Sequence, residues 1–141
     1  MKRNINVSHL VQTPIEKQRV ELVERKCIGH PDSLADGVAE AISRALCKEY
    51  MEECDGGVLH HNTDQGEVVA GESAPAFGGG KIIKPIYFLL TGRATRKFKN
   101  KTFATDAIAV KAARDYLKET MPTFNMENDV IIDCRMGTGS T

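Results

Sequence analysis

The chain has 141 residues with 19 basic and 19 acidic side chains, so its formal net charge is zero. This balance excludes the strong whole-chain field typical of proteins that bind nucleic acid or membrane surfaces. No apolar run approaches the roughly 20 residues that span a bilayer, and residues 1–10 lack the apolar middle of a signal peptide. The four cysteines form no CxxC pair, which favours reduced thiols. We therefore expect a cytoplasmic protein with no nucleic-acid or membrane partner.

Hydrophobic periodicity predicts the element order β-α-β-β-β-α-β. Residues 18–25, QRVELVER, alternate with the period of a half-buried strand. An amphipathic helix is predicted from Ser33 to about Tyr50, and ECDGG ends it. GVLHHN and EVVAGE read as strands joined by NTDQG, and SAPAFGGGK is predicted to be a flexible loop.

The second half of the chain begins with a strongly apolar strand region, IIKPIYFLLTGRAT, in which Pro85 marks an edge or a bulge. The basic turn at 96–101 is predicted to be a solvated hairpin tip. A second helix is predicted at 106–119, and DVIIDCRMG is the last strand. The buried candidates of that helix are Ile108, Val110, Ala113, Tyr116 and Leu117.

This order predicts an α+β fold, in which helices cover one face of a mixed, mostly antiparallel sheet. We expect an N-terminal arm at 1–17 and an α/β core at 18–141.

The segment CIGHPDSLADG, at 27–37, places polar groups at the start of the first helix. Proline is favoured at the first helical position, so Pro31 puts His30 at the cap and Asp32 in the first turn. Asp36 lies one turn further along the same face. Carboxylates, an imidazole and unpaired N–H groups together suit a polyphosphate with its magnesium ion. The alternative is structural, because carboxylates in a first turn interact favourably with the helix dipole at about 0.3 to 1 kcal/mol each.

The segment HHNTDQGE contains His60, His61, Asp64, Gln65 and Glu67. A zinc site there is disfavoured, because adjacent strand residues point to opposite faces and the two histidines would not reach one ion. We expect one histidine to pack and the other to be solvated. The three remaining side chains lie in a polar loop that is able to present them to a small molecule.

The two glycine-rich segments predict different structural features. FGGGK departs from the phosphate-binding pattern GxxxxGK[ST], so a mobile gate and a plain linker are equally compatible with it. IIDCRMGTGST passes from a strand into a glycine loop, the place where α/β proteins often receive a ligand. Because the chain stops at Thr141 within this loop, we expect a truncated piece.

The motifs ERKCIGHPDSLADGVAEAISRALCKEY, LHHNTDQGE, FGGGK and IIDCRMGTGS occur in an order that resembles the first third of archaeal S-adenosylmethionine synthetases. That resemblance implies a reaction in which the methionine sulfur attacks C5′ of ATP and the triphosphate leaves. The triphosphate is then hydrolysed to pyrophosphate and phosphate. It also implies Mg²⁺ and, in many members, K⁺, with ATP and L-methionine as substrates.

Residue roles carried over from the resemblance agree with those inferred at the helix start. His30 is implied as the catalytic group near the ribose and the triphosphate leaving oxygen, and Asp32 as a magnesium ligand. Asp36 is predicted as a further metal ligand from its place on the same helix face. The residues implied to contact the nucleotide and methionine are Asp64, Gln65, Glu67, Gly137, Thr138, Gly139 and Ser140.

The resemblance has one departure and several consequences. Bacterial and eukaryotic members carry a lysine at the position of Ser33, so the phosphate contact of that lysine does not transfer. The family fold is a larger multi-domain repeat fold, with its active site between subunits of a homodimer or higher oligomer. Basic and acidic residues that the family supplies from later segments are absent here, so we expect the isolated chain to be inactive. The alternatives are a non-catalytic nucleotide-binding or regulatory module, and a metal-dependent hydrolase built on His60, His61, Asp64 and Glu67.

Overall fold

A computed structural model of the chain describes residues 4–139. It contains two helices, α1 (Pro31–Glu53) and α2 (Thr105–Thr120), and one 3-10 turn at Ile15–Lys17. The ten strands are β1 (His61–Asn62), β2 (Glu67–Val69), β3 (Glu72–Ala76), β4 (Gly79–Lys84), β5 (Ile86–Leu90), β6 (Arg93–Ala94), β7 (Lys97–Phe98), β8 (Lys101–Thr102), β9 (Val130–Cys134) and β10 (Gly137–Thr138). Four of the six strand pairings are antiparallel and two are parallel. The predicted α+β class with a mixed, mostly antiparallel sheet is therefore confirmed.

Helix α1 buries one continuous row of side chains at every fourth position, which forms the ridge that helices use for packing. This row consists of Leu34, Val38, Ile42, Leu46 and Tyr50, all at most 3% exposed. The helix ends where the backbone turns left-handed at Asp55 (φ 52°) and Gly56 (φ 84°). The predicted helix and its stop signal are both confirmed.

Helix α2 packs against α1 through small residues. Its fully buried positions are Thr105, Ala109, Ala113 and Leu117. Of the five predicted core residues, Ile108, Val110 and Tyr116 are only partly buried. The helices approach so closely that a Cβ on Gly37 would lie 1.9 Å from the Tyr116 hydroxyl oxygen. Close approach selects the small residues, so the larger ones lie at the edge of the contact.

Six of the strands form two three-stranded sheets, ordered β2-β5-β9 and β1-β6-β10. The middle strands, β5 and β6, follow each other in the chain and are separated by residues 91–92. β5 pairs antiparallel with β2 and parallel with β9, and β6 pairs antiparallel with β1 and parallel with β10. Gly92 lies at the break with a φ of +98°, and a Cβ there would lie 2.2 Å from the Asn62 carbonyl oxygen. Only glycine fits this position without strain.

Two antiparallel hairpins extend from the sheet. β3 and β4 pair across a two-residue turn at Phe77 and Gly78, so the prediction of a flexible loop over SAPAFGGGK was wrong. Gly78 supplies the positive φ (75°) that such a turn requires. β7 and β8 form the second hairpin, which confirms the predicted basic hairpin tip.

The strand predicted at 18–25 was also wrong. These residues have no regular secondary structure and pair with no strand in the part of the chain described. Val20 and Leu22 are 67% and 94% exposed. Alternation favours an extended backbone, but a strand also needs a neighbour for its N–H and C=O groups. Within residues 4–139, no helix is both long enough and apolar enough to cross a membrane.

Tyr50 connects α1 to the sheet. Its hydroxyl donates a hydrogen bond of 2.8 Å to the Thr95 carbonyl oxygen, and its ring packs edge-on against Phe103 with centroids 4.9 Å apart. Burial raises the pKa of Tyr50 to about 12. The neutral phenol is therefore part of the folded state.

We predict that Gly92→Ala lowers the free energy of unfolding by roughly 2 to 4 kcal/mol, because alanine is strained at this φ and its methyl meets backbone. Urea unfolding followed by circular dichroism measures the change. Gly79→Ala is the matched control, since a Cβ there has no atom within 4 Å. Equal stability of the two variants would contradict the account of the sheet break.

We predict that stability falls as the pH rises from 10 to about 12. In this range the unfolded chain releases the Tyr50 proton while the folded chain retains it. The loss amounts to on the order of 2 kcal/mol and levels off above the folded pKa. Tyr50→Phe removes this part of the slope, which urea unfolding at a series of alkaline pH values measures. An identical slope in parent and variant would contradict the prediction.

Candidate functional site

The start of α1 is organised by His30. Its Nδ1 accepts a hydrogen bond of 3.2 Å from the Asp32 backbone N–H, and Pro31 occupies the first helical position. Because Nδ1 accepts, the neutral ring carries its proton on Nε2. The His30 side chain is 40% exposed. The cap thus leaves Nε2–H as a donor beside the positive end of the helix dipole.

Asp32 lies exposed in the first turn and forms an ion pair with Lys26. The hydrogen bond from Lys26 lowers the pKa of the Asp32 carboxyl, and the same contact raises the pKa of the ammonium. The charge of Asp36 contributes a smaller upward shift to the pKa of Lys26. A cationic group therefore already lies beside these carboxylates.

An open groove of about 450 Å³ runs beside α1. One wall is the helix face that carries Asp36, Glu40 and Ser43, and the other is residues 61–64 and Gly66. Its carboxylates are those of Asp36, Glu40 and Asp64, and none of the described residues that line it is lysine or arginine. The groove is therefore suited to cations or neutral molecules, and anions would need a bridging cation.

A hydrogen-bonded pair joins the two walls of the groove. His61 Nε2 lies 3.0 Å from Ser43 Oγ and 3.7 Å from Cys47 Sγ. His61 Nδ1 lies 2.9 Å from the Leu59 carbonyl oxygen. The carbonyl accepts only, so Nδ1 donates and Nε2 accepts the proton of Ser43. The imidazole is thus held in one orientation and one tautomer.

The predicted site residues fall into separate groups. Asp36 and Asp64 both line the groove, whereas His30 and Asp32 lie outside its lining. The Gln65 carbonyl oxygen accepts a hydrogen bond from Thr91 Oγ1. Glu67 is exposed in β2, opposite Leu89. Asp36 is thus shared by the groove and the first turns of α1, whereas Asp64 belongs to the groove alone.

The glycine segment at 137–139 continues the sheet as β10. The N–H groups of Gly137 and Gly139 donate to the carbonyl oxygens of Gly92 and Ala94, at 2.9 and 2.8 Å. These two N–H groups therefore have sheet partners, while that of the intervening Thr138 points away from β6. Ser140, the last residue assigned to the nucleotide, lies outside the described residues.

Arg96 bonds to the residue that precedes this segment and to helix α2. Its Nη2 donates to Asp106 Oδ1 and to the Met136 carbonyl oxygen, both at 2.7 Å. Asp106 lies in the first turn of α2. The guanidinium therefore connects α2 to the chain just before Gly137, and it differs in role from the solvated lysines of the adjacent hairpin.

In residues 4–139, no group of three or more His, Cys, Asp and Glu side chains is placed to hold a metal ion. His60 is exposed, while His61 contacts α1. The prediction that one histidine packs and the other is solvated is confirmed. The hydrolase interpretation based on both histidines gains no support.

Glu40 and Ser43 were not predicted as site residues, although the sequence contained a signal for them. Glu40 follows Asp36 by four residues and Ser43 follows Glu40 by three, so all three lie on one helix face. The pairing of Ser43 with His61 joins residues 18 positions apart. Such a contact depends on how β1 packs beside α1, which periodicity does not reveal.

A family model for S-adenosylmethionine synthetase (AdoMet synthetase) matches residues 3–141. The chain belongs to the S-adenosylmethionine synthetase family. The resemblance inferred from the motifs is thereby confirmed.

Similar curated proteins are named S-adenosylmethionine synthase. Those of Methanoregula boonei and Methanospirillum hungatei are 64% and 62% identical to the chain over 141 residues, all of this chain and 35% of each relative. That of Pyrococcus furiosus is 57% identical over 140 residues, 99% of this chain and 35% of the relative. The chain thus spans about 35% of the length of the relatives it matches.

We predict that His30→Ala lowers the free energy of unfolding by about 0.5 to 2 kcal/mol, because the cap of α1 is lost. His30→Asn should retain the parent stability, because asparagine caps helices well although it has no imidazole. Urea unfolding of both variants measures the difference. Equal destabilisation by alanine and asparagine would show that the ring stabilises the fold by more than capping.

Proposed function

We propose that this chain supplies part of the active site of an ATP:L-methionine S-adenosyltransferase, which forms S-adenosylmethionine and releases pyrophosphate and phosphate. The observation that carries the proposal is membership of the S-adenosylmethionine synthetase family across residues 3–141. The relatives that are 57–64% identical carry the corresponding name. ATP and L-methionine are therefore the proposed substrates.

The start of α1 is the proposed site for the triphosphate. Negative charge develops on the leaving oxygen as the methionine sulfur attacks C5′. His30 offers Nε2–H as a donor, and the positive end of the α1 dipole favours an anion. We assign His30 as the catalytic group that stabilises this charge.

Asp32 and Asp36 are the proposed magnesium ligands. Carboxylate oxygens suit this hard cation, which typically binds one or two carboxylates together with substrate phosphates. The Lys26 ammonium beside Asp32 supports the fit, because it marks a position that favours positive charge. When bound, Mg²⁺ neutralises charge on the triphosphate. The chain's own contribution is to hold two carboxylates one turn apart on a rigid helix.

The remaining assignments complete the proposal. Asp64, Gln65 and Glu67 are proposed to lie near methionine, and 137–140 near the nucleotide, where the outward N–H of Thr138 supports a contact. We further propose a K⁺ requirement, a homodimer or higher oligomer, and a cytoplasmic location, with which the unpaired thiols of Cys27, Cys47, Cys54 and Cys134 agree. The division into an arm at 1–17 and a core at 18–141 remains part of this proposal.

The proposal is tested with a chimera, in which this chain replaces the matching 141 residues of the Methanoregula boonei synthase. We expect the chimera to form S-adenosylmethionine from ATP, methionine and Mg²⁺, and residues 1–141 alone to form none. His30→Asn in the chimera should lower kcat by about 100-fold or more, because the shorter amide does not place a donor where the imidazole Nε2–H reaches the developing charge. Asp32→Asn should raise the Mg²⁺ concentration needed for half-maximal rate.

Glu52→Gln is the matched control, since it removes an exposed carboxylate from the same helix about six turns from its start. It should leave kcat unchanged. Full turnover by residues 1–141 alone would contradict the expected need for groups from other segments. A His30→Asn chimera as active as the control would contradict the catalytic assignment.

A further inference from the structure

Ser43 and His61 have the geometry of a nucleophile with its base. Ser43 Oγ lies 3.0 Å from His61 Nε2, and His61 Nδ1 donates to the Leu59 carbonyl oxygen at 2.9 Å. A hydroxyl within reach of an imidazole that a third group orients is the arrangement that activates serine. Both side chains line the groove, so the pair is accessible from solvent.

We propose that Ser43 is a base-activated nucleophile that accepts the acyl group of a neutral or cationic ester. This reaction needs neither nucleotide nor methionine, so it can be measured separately from the proposed adenosyl transfer, although the groove shares Asp36 and Asp64 with that site. It does not involve the helix cap at His30.

The charges of the groove define the class of substrate. Its lining carries the carboxylates of Asp36, Glu40 and Asp64, and no lysine or arginine among residues 4–139. These carboxylates repel anionic esters. Neutral and cationic esters are therefore the favoured substrates.

Asn62 is the candidate for stabilising the oxyanion. Its amide lies at the groove, and its buried Oδ1 has no hydrogen-bond partner within the described chain. Because the oxygen side of this amide is buried, the side that carries the Nδ2–H donors is the one available to a ligand in the groove. A side-chain amide donor of this kind stabilises a tetrahedral intermediate.

The proposed step is an acyl transfer from the ester to Ser43. A bond forms between Ser43 Oγ and the ester carbonyl carbon, while the hydroxyl proton moves to His61 Nε2. The tetrahedral intermediate then collapses, the bond from carbon to the alcohol oxygen breaks, and the proton leaves with the alcohol or with water. Water activated by the same imidazole subsequently releases the acid and restores the serine.

The test uses the 141-residue chain and p-nitrophenyl acetate, a neutral activated ester. Release of p-nitrophenolate is followed, and the acetylated residue is located by mass spectrometry after trypsin digestion. Cleavage after Arg44 separates Ser43 from Cys47, so the two nucleophiles are distinguished. We expect acetyl on Ser43 at a rate about 100-fold or more above that of Ser73, an exposed serine of β3.

His61→Gln should reduce the acetylation of Ser43 to the rate of Ser73, and Ser43→Ala should abolish it. In the unaltered chain, the rate should rise with pH and reach a plateau once the imidazole is neutral. This profile tests the base even if a variant fails to fold. Acetyl on Cys47 alone, equal labelling of Ser43 and Ser73, or a rate that rises with hydroxide without a plateau would overturn the proposal.

Discussion

The buried row of α1 is the constraint on which the rest of the structure depends. Side chains at every fourth position from Leu34 to Tyr50 are almost fully buried, so the rotation of the helix about its axis is fixed. Replacing any one of the larger members by alanine typically costs about 2 to 5 kcal/mol, and no surface contact of the helix is comparable. The same rotation turns Asp36, Glu40 and Ser43 toward the groove. Packing on one side of α1 therefore positions the polar chemistry on the other side.

Much of the fold followed from periodicity, and the errors have a common cause. The two helices, the last strand and the basic hairpin were recognisable because local pattern and final environment agree there. Residues 18–25 carry a strand pattern without a pairing partner among the described residues. The segment SAPAFGGGK was predicted to be a loop, although it forms part of the hairpin of β3 and β4. Both errors concern strand pairing, which depends on residues distant in sequence.

The candidate site was only partly accessible to sequence reasoning. Pro31 and the capping tendency of polar residues place His30 and Asp32 at the helix start without any tertiary information. Asp36 and Asp64 line one groove, and Ser43 bonds to His61, only because β1 lies beside α1. The glycines at 137 and 139 illustrate the opposite case. Their sequence suggests an open phosphate loop, yet their N–H groups bond to β6. Local signals identify caps and turns, whereas contacts across the sheet emerge only from the fold.

The most direct test is whether a metal-loaded nucleotide binds at the start of α1. Amide NMR spectra of the chain, recorded with ATP and paramagnetic Mn²⁺ in place of Mg²⁺, report which residues lie near the ion. We expect selective broadening of amide signals at 30–36 and at Asp64, with the basic hairpin at 97–102 unaffected. Broadening confined to the basic hairpin, or spread evenly over the chain, would contradict the account.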